Sequence, residues 1–139
     1  MRNKNDMMIS TRGRYALRVM VDLAEHYRDG YIPMKIIAQR QGISLKYLEQ
    51  ILPSLTKSGM IEGLQRKGGG YRLTAEPGKY RVGDILRITE GDLAPVACLC
   101  HDAKVCERAG NCKTLPMWKE FYRITRDYFD GITLSDLMG

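Results

Sequence analysis

Residues 33–59 read PMKIIAQRQGISLKYLEQILPSLTKSG, and this stretch decides the fold. Pro33 suits the start of a helix, where its fixed φ is already helical and its missing N–H has no partner to lose. Gly42 suits the exit, and Ser44 can cap a second helix by accepting a hydrogen bond from a free backbone N–H. The stretch therefore predicts helix, short turn, helix. Ala38, Gly42 and Leu48 fall four and six residues apart, where a helix-turn-helix needs a small residue at the crossing, a left-handed turn and an anchor. With Leu48, Ile51, Leu52 and Leu55 inward, Lys46, Tyr47, Glu49 and Gln50 are left outward near the start of the second helix, beside Ser44. These side chains suit a major groove: Lys reaches guanine or phosphate, Gln pairs with adenine, Glu accepts from cytosine, and Tyr bonds a phosphate oxygen. The plainer alternative is a polar helix face. Pro53 removes one helical hydrogen bond, which predicts a kink near Ile51 or a break into two short helices.

Downstream, MIEGLQRKGGGYRLT carries two short apolar-polar segments around RKGGG. Three successive glycines permit positive backbone torsions, so the segment predicts a β-hairpin with Arg66, Lys67 and Gly68 at its tip. A basic hairpin after a helix-turn-helix is the order of a winged-helix DNA reader, its wing on the backbone or in the minor groove. The order Gly-x-x-x-x-Gly-Lys-Ser/Thr does not occur, so nucleotide hydrolysis is not supported.

Upstream, TRGRYALRVMVDLAEHYRDG places Ala16, Met20, Leu23, Ala24 and Tyr27 at helical spacing, with Gly30 as its stop. Arg12, Arg14 and Arg18 lie near its start, as phosphate contacts or as a solvated charged face; Arg12 and Arg14 are the candidates carried into the DNA-binding set. The whole chain has 139 residues, 44% apolar and 27% charged, with a formal charge of +6. That length allows one compact domain with an appendage, and the charge favours a polyanionic partner. No apolar run approaches the roughly 20 residues of a membrane span, and MRNKNDMMIS lacks the apolar middle of a secretory signal, so a cytoplasmic protein is expected.

After a turn at Pro77–Gly78, VGDILRITEG predicts a short helix with Ile85 and Ile88 inward. Further on, LPMWKEFYRITRDYFDG places Met117, Phe121, Ile124 and Tyr128 on one stripe and Trp118, Tyr122 and Phe129 on the next. Such a broad stripe most simply buries its second half against another copy of itself, giving a twofold homodimer through Met117, Trp118, Phe121, Ile124 and Tyr128. TLSDL, with Thr133 and Asp136, predicts a last capped helix. Between the two helices, CLCHDAKVCERAGNC (98–112) packs all four cysteines into fifteen positions.

ISTRGRYALRVMVDLA, ISLKYLEQ, GGGYRL, VGDILRITEG and ITLSDL resemble the family of winged-helix repressors typified by the iron–sulfur cluster regulator IscR, with NsrR, RirA and CymR as relatives. The likeness runs from Ile9 to Leu137. It implies a mainly α fold with a small β-hairpin: a winged helix-turn-helix over residues 1–91, a cysteine-rich cluster-binding loop over 92–115, and a long dimerisation helix with a short final helix over 116–139. It also implies that Cys100, Cys106 and Cys112, with five residues between each and the next, ligate an iron–sulfur cluster, either 2Fe–2S or 4Fe–4S. Soft thiolates on one short loop suit that chemistry, and zinc is the alternative. Where the IscR pattern has a histidine three residues after the last cysteine, this chain has Leu115. Where NsrR-like members supply an acidic ligand from the partner's first helix, it has Arg14. Cys98 ranks first as fourth ligand, before His101 and Asp102.

The resemblance implies a dimeric transcriptional regulator binding a double-stranded operator and sensing cluster status, iron or redox stress. CymR lacks the cysteines, which keeps open a zinc-stabilised or cluster-free regulator of cysteine metabolism acting with a protein partner. An iron–sulfur electron carrier would have no use for a basic winged helix. An enzyme is not expected: His26 and His101 form no constellation with a carboxylate, and Cys100 would lack an orienting partner as nucleophile.

Overall fold

A computed structural model describes residues 9–66, 68–96, 99 and 110–139. Three helices form the reading head: α1 (Thr11–Glu25), α2 (Met34–Gln41) and α3 (Leu45–Lys57). Pro33 stands at the N-cap of α2, and Gly42 ends it at φ 64°, a left-handed turn in which its N–H donates to the Ala38 carbonyl. Ser44 caps α3, its Oγ accepting the Tyr47 N–H at 3.1 Å. Leu48, Ile51, Leu52 and Leu55 are at most 1% exposed and join Ala16, Val19, Met20, Leu23 and Ile37 in the main core.

Two expectations change. Helix α1 ends at Glu25 instead of running to Gly30, and a 3-10 turn, Tyr27–Asp29, fills the interval, a common tightening at a helix terminus. Helix α3 runs unbroken through Pro53. Pro53 and Glu49, whose carbonyl loses its helical partner, both lie on the exposed face where water can serve that oxygen. The four buried aliphatics hold the helix on its other side.

The wing is β1 (Ile61–Gly63) paired antiparallel with β2 (Tyr71–Leu73), Ile61 opposite Leu73 and Gly63 opposite Tyr71. Ile32 adds a single bridge to Tyr71, exchanging both backbone bonds at 2.8 Å. Tyr80 fastens the base of the hairpin: its buried hydroxyl donates to the Met60 carbonyl at 2.7 Å and accepts from the Thr74 and Ala75 N–H groups.

Helix α4 (Val82–Glu90) lies between two apolar clusters. Ile85 enters the main core with Ile88 packed against it, while Val82 and Leu86 meet Leu93, Leu17, Tyr122, Phe129 and Ile132 in a second cluster. Tyr122 and Phe129 belong to α5 (Leu115–Asp130). The chain then returns. The Val82 N–H donates to the Ile132 carbonyl at 2.8 Å, and α6 (Leu134–Leu137), started by a Thr133–Asp136 capping box, buries Leu134 completely in the main core.

An ion pair on a buried carboxylate sets α2 against α1. Asp22, 1% exposed, accepts from Arg40 Nε and Nη2 at 2.9 and 2.7 Å and from Gln41 Nε2 at 2.9 Å. Burial pushes the Asp22 carboxyl up, but the Arg40 and Gln41 hydrogen bonds and the charges of Arg40 and His26 outweigh it and hold the group below its usual range. A depressed folded-state pKa contributes stability above the unfolded value, about 3.9, and loses it as pH falls through the folded one. Asp22→Asn is expected to lower stability by about 2 kcal/mol at pH 7. In urea melts the gap to the parent should shrink below about pH 3; an equal gap at both pH values would assign the loss to packing instead.

Candidate functional site

The outer face of α3 carries the chemistry of a reading helix. Lys46, Glu49 and Gln50 are exposed on its first two turns. Tyr47 departs from the expected outward set: its ring is half-buried and meets Tyr15 of α1 edge-on, centroids 5.3 Å apart. Ser44 Oγ is spent as an acceptor on the cap, which leaves its hydroxyl proton free to donate outward.

The arginines of α1 differ in what they do. Arg12 reaches across to α3, donating from Nη2 to Ser54 Oγ at 2.9 Å and to the Gln50 carbonyl at 3.3 Å. Arg18 donates to the Gln41 backbone carbonyl and side chain and lies over the Tyr15 ring. Arg14 is exposed, and its guanidinium makes no hydrogen bond or ion pair among the described residues. Of the expected DNA-facing set, the structure thus joins Arg12 to Gln50 directly and leaves Arg14 and Lys46 as open cations.

At the wing, Arg66 and Gly68 lie exposed at the tip, and Lys67 lies outside the described residues. The three glycines do not all serve the purpose expected of them. Only Gly68 has a positive φ, 82°. Gly69 and Gly70 are needed for close approach: a Cβ on Gly69 would overlap the Leu64 carbonyl oxygen, and one on Gly70 the Ile32 carbonyl. The base of the hairpin carries a feature that sequence reading missed. Arg72 Nε donates to Glu62 Oε1 across the strands at 2.6 Å while its guanidinium lies 4.3 Å from the centre of the Tyr31 ring.

Leu45, the first residue of α3, was also missed. It is 43% exposed. Its spacing of three from buried Leu48 places it near the core stripe in any periodicity count, and only the packing shows that it stands partly open.

The cysteine segment is fixed at both ends. Leu93 and Ala94 are buried beside α4, and Asp92 Oδ1 accepts from the Ala94 N–H at 2.9 Å and from the Tyr122 hydroxyl of α5 at 3.1 Å. Burial, then the Asp92 charge and bond, push the Tyr122 hydroxyl above its usual pKa. At the far end Cys112 is half-buried, its Sγ 3.4 Å from Thr114 Oγ1, three residues before α5 begins. Cys98, Cys100, Cys106, His101 and Asp102 lie outside the described residues, and among the described residues no group of three His, Cys, Asp or Glu side chains gathers as a metal site. The donor set itself fits an iron–sulfur cluster: thiolates are its ordinary ligands, and the described one sits where the segment joins a helix. Leu115 opens α5 as its first residue, and Arg14 is exposed on α1; an aliphatic side chain and a cationic guanidinium offer no donor atom to iron.

Helix α5 is tied to α4 by a second remote pair. Arg87 Nη1 and Nη2 donate to the two Asp130 carboxylate oxygens at 2.8 and 2.9 Å, and this fork holds Asp130 below its usual pKa. Gly83 has no room for a side chain because Asp130 occupies that space. The opposite face of α5 is bare. Met117, Phe121, Ile124 and Tyr128 are 43–65% exposed, and Trp118 meets Phe121 edge-on. A row of apolar side chains of this size marks an interaction surface.

This arrangement of helix-turn-helix, basic wing and trailing helix defines a winged-helix DNA-binding protein. Residues 9–139 match the family described as Rrf2, iron-dependent transcriptional regulator. The chain is 37% identical over 132 residues to the HTH-type transcriptional regulator IscR of Aliivibrio salmonicida (strain LFI1238), covering 95% of this chain and 77% of that protein. Among solved structures it is similar to CymR (YrzC), the global cysteine regulator of B. subtilis, with 34% identity, a TM-score of 0.75 and coverage of 93% and 94%. It is likewise similar to T. potens IscR, with 35% identity, a TM-score of 0.71 and coverage of 93% and 84%. The chain belongs to the Rrf2 family of transcriptional regulators and is not an enzyme. None of its described helices is long and apolar enough to cross a membrane.

The wing geometry generates a test. Gly70→Ala is expected to force β2 away from Ile32, lowering stability by about 1–3 kcal/mol and weakening DNA binding. Urea melts and filter binding check it; unchanged values in both would show that the Ile32–Tyr71 bridge can yield.

Proposed function

We propose that this chain is a homodimeric, operator-binding regulator whose grip on DNA follows the state of an iron–sulfur cluster held by Cys100, Cys106 and Cys112, with Cys98 as fourth ligand. Residues 1–91 read the operator, 92–115 sense, and 116–139 pair the two copies. The observation that supports this reading is how the described ends of the cysteine segment are attached. Leu93 and Ala94 are buried beside α4, Asp92 is bonded to Tyr122 in the middle of α5, and Cys112 lies beside the start of α5.

A bound cluster, 2Fe–2S or 4Fe–4S, supplies a centre that iron shortage and oxidants can remove or alter. The chain's own residues do the rest. Thiolates at 98, 100, 106 and 112 would hold the cluster and so couple the end of α4 to the start of α5. The Arg87–Asp130 fork and the Val82, Leu86 and Phe129 cluster join α5 to the reading head, so the relative placement of two heads in a dimer is biased by the segment. Met117, Trp118, Phe121, Ile124 and Tyr128 bury one α5 against its copy. Arg14, Ser44, Lys46, Glu49 and Gln50 meet one half-site, Arg66, Lys67 and Gly68 the adjacent backbone or minor groove, and Arg12 and Tyr47 brace the reading helix at its border.

Likeness to the CymR structure favours a second reading: a zinc-stabilised or cluster-free regulator of cysteine metabolism acting with a protein partner. Anaerobic purification separates the two. The first reading expects a brown protein with iron and acid-labile sulfide in similar amounts, an operator affinity that changes when the cluster is stripped, and loss of both properties in the C100A/C106A/C112A variant. Stoichiometric zinc without sulfide, or equal affinities of the loaded and stripped protein, would overturn it.

A further inference from the structure

We propose that Leu45 reads the methyl group of a thymine in the major groove and is a determinant of operator sequence. The inference rests on the DNA-reading half of the function proposed above and is independent of the cysteine segment.

Leu45 is the first residue of α3, directly after the Ser44 cap. A single exposed aliphatic side chain is ordinary on a protein surface, so the position must carry the argument. The reading helix of a helix-turn-helix enters the major groove N-terminus first, and side chains of its first turn touch base edges. Ser44, Leu45, Lys46, Glu49 and Gln50 are what α3 presents there. Leu45 alone among them has no donor or acceptor, and the major groove has one apolar feature to match it, the C5 methyl of thymine.

The usual structural task of an apolar residue at this end of a helix is already filled. Ile43, before the cap, and Leu48, the fourth helical residue, are both buried in the main core, the two positions that fix how a chain enters a helix. Leu45 adds nothing to that pair and stands outside the core, 43% exposed. Opposite a guanine or cytosine edge it would strip water from donors and acceptors without replacing the bonds. It therefore favours thymine and disfavours the polar edges.

The test starts from a random-sequence duplex pool, from which the full-length protein selects its own site. Each thymine of that site is then replaced by uracil, which pairs identically but lacks the methyl. The parent should bind about fourfold more weakly at one such position per half-site, the equivalent of one methyl-sized apolar group left unburied. Leu45→Ala and Leu45→Gln should bind the thymine and uracil sites equally, and Leu45→Met should keep the preference; thermal melts of all three confirm folding. No uracil penalty in the parent, or the same penalty in the Ala and Gln variants, would overturn the inference while leaving the DNA-reading function standing. Failure of the parent to select any sequence would overturn that function and the inference with it.

Discussion

Helix α4 has nine residues and two apolar faces, and so short a helix can hide both only by lying between other elements. Ile85 closes the core beneath α1 and α3, while Val82 and Leu86 close the cluster that receives Tyr122, Phe129 and Ile132. Helix α5 is therefore joined to the reading head through packed side chains and not through a linker. Two polar contacts fix the direction of that joint: the Arg87–Asp130 fork at the end of α5 and the Tyr122–Asp92 bond at its middle. The described ends of the cysteine segment, Asp92–Ala94 and Cys112, adjoin these attachments and the start of α5.

The basic residues divide in a way that net charge conceals. Arg40 neutralises buried Asp22, Arg18 pins α1 to α2, Arg72 braces the hairpin, and Arg87 holds α5. Arg12 ties the start of α1 to α3. Of the candidate DNA contacts, Arg14, Lys46 and Arg66 are left without such work, on α1, on α3 and at the wing tip. A charge of +6 is thus a poor measure of the phosphate-binding surface. The better measure is which guanidinium and ammonium groups the fold leaves uncommitted.

The helix-turn-helix was legible because its signals are local. Pro33, Gly42 and Ser44 act within one turn of their own positions, and the spacing of Leu48, Ile51, Leu52 and Leu55 follows from helix geometry alone. The same local reasoning allowed a break at Pro53, whose missing bond falls on the solvent side, and could not see that α1 partly covers the Tyr47 ring. It also gave three wing glycines one purpose, whereas Gly69 and Gly70 are small because a carbonyl from elsewhere in the chain approaches them. Leu45 escaped notice because periodicity assigns a side chain to a direction and cannot say whether anything lies there.

What the amino-acid order determined by itself was the set of elements, the apolar stripe of each helix, the hairpin and the clustering of thiols, since backbone sterics, capping and periodicity operate over a few residues. The tertiary structure alone decided which charges are spent and which are free, that Leu134 of the last helix completes the core of the reading head, and that Arg87 and Asp130 meet across 43 positions. Those outcomes depend on distant segments competing for the same space and the same hydrogen bonds, and that competition is resolved only when the chain is folded.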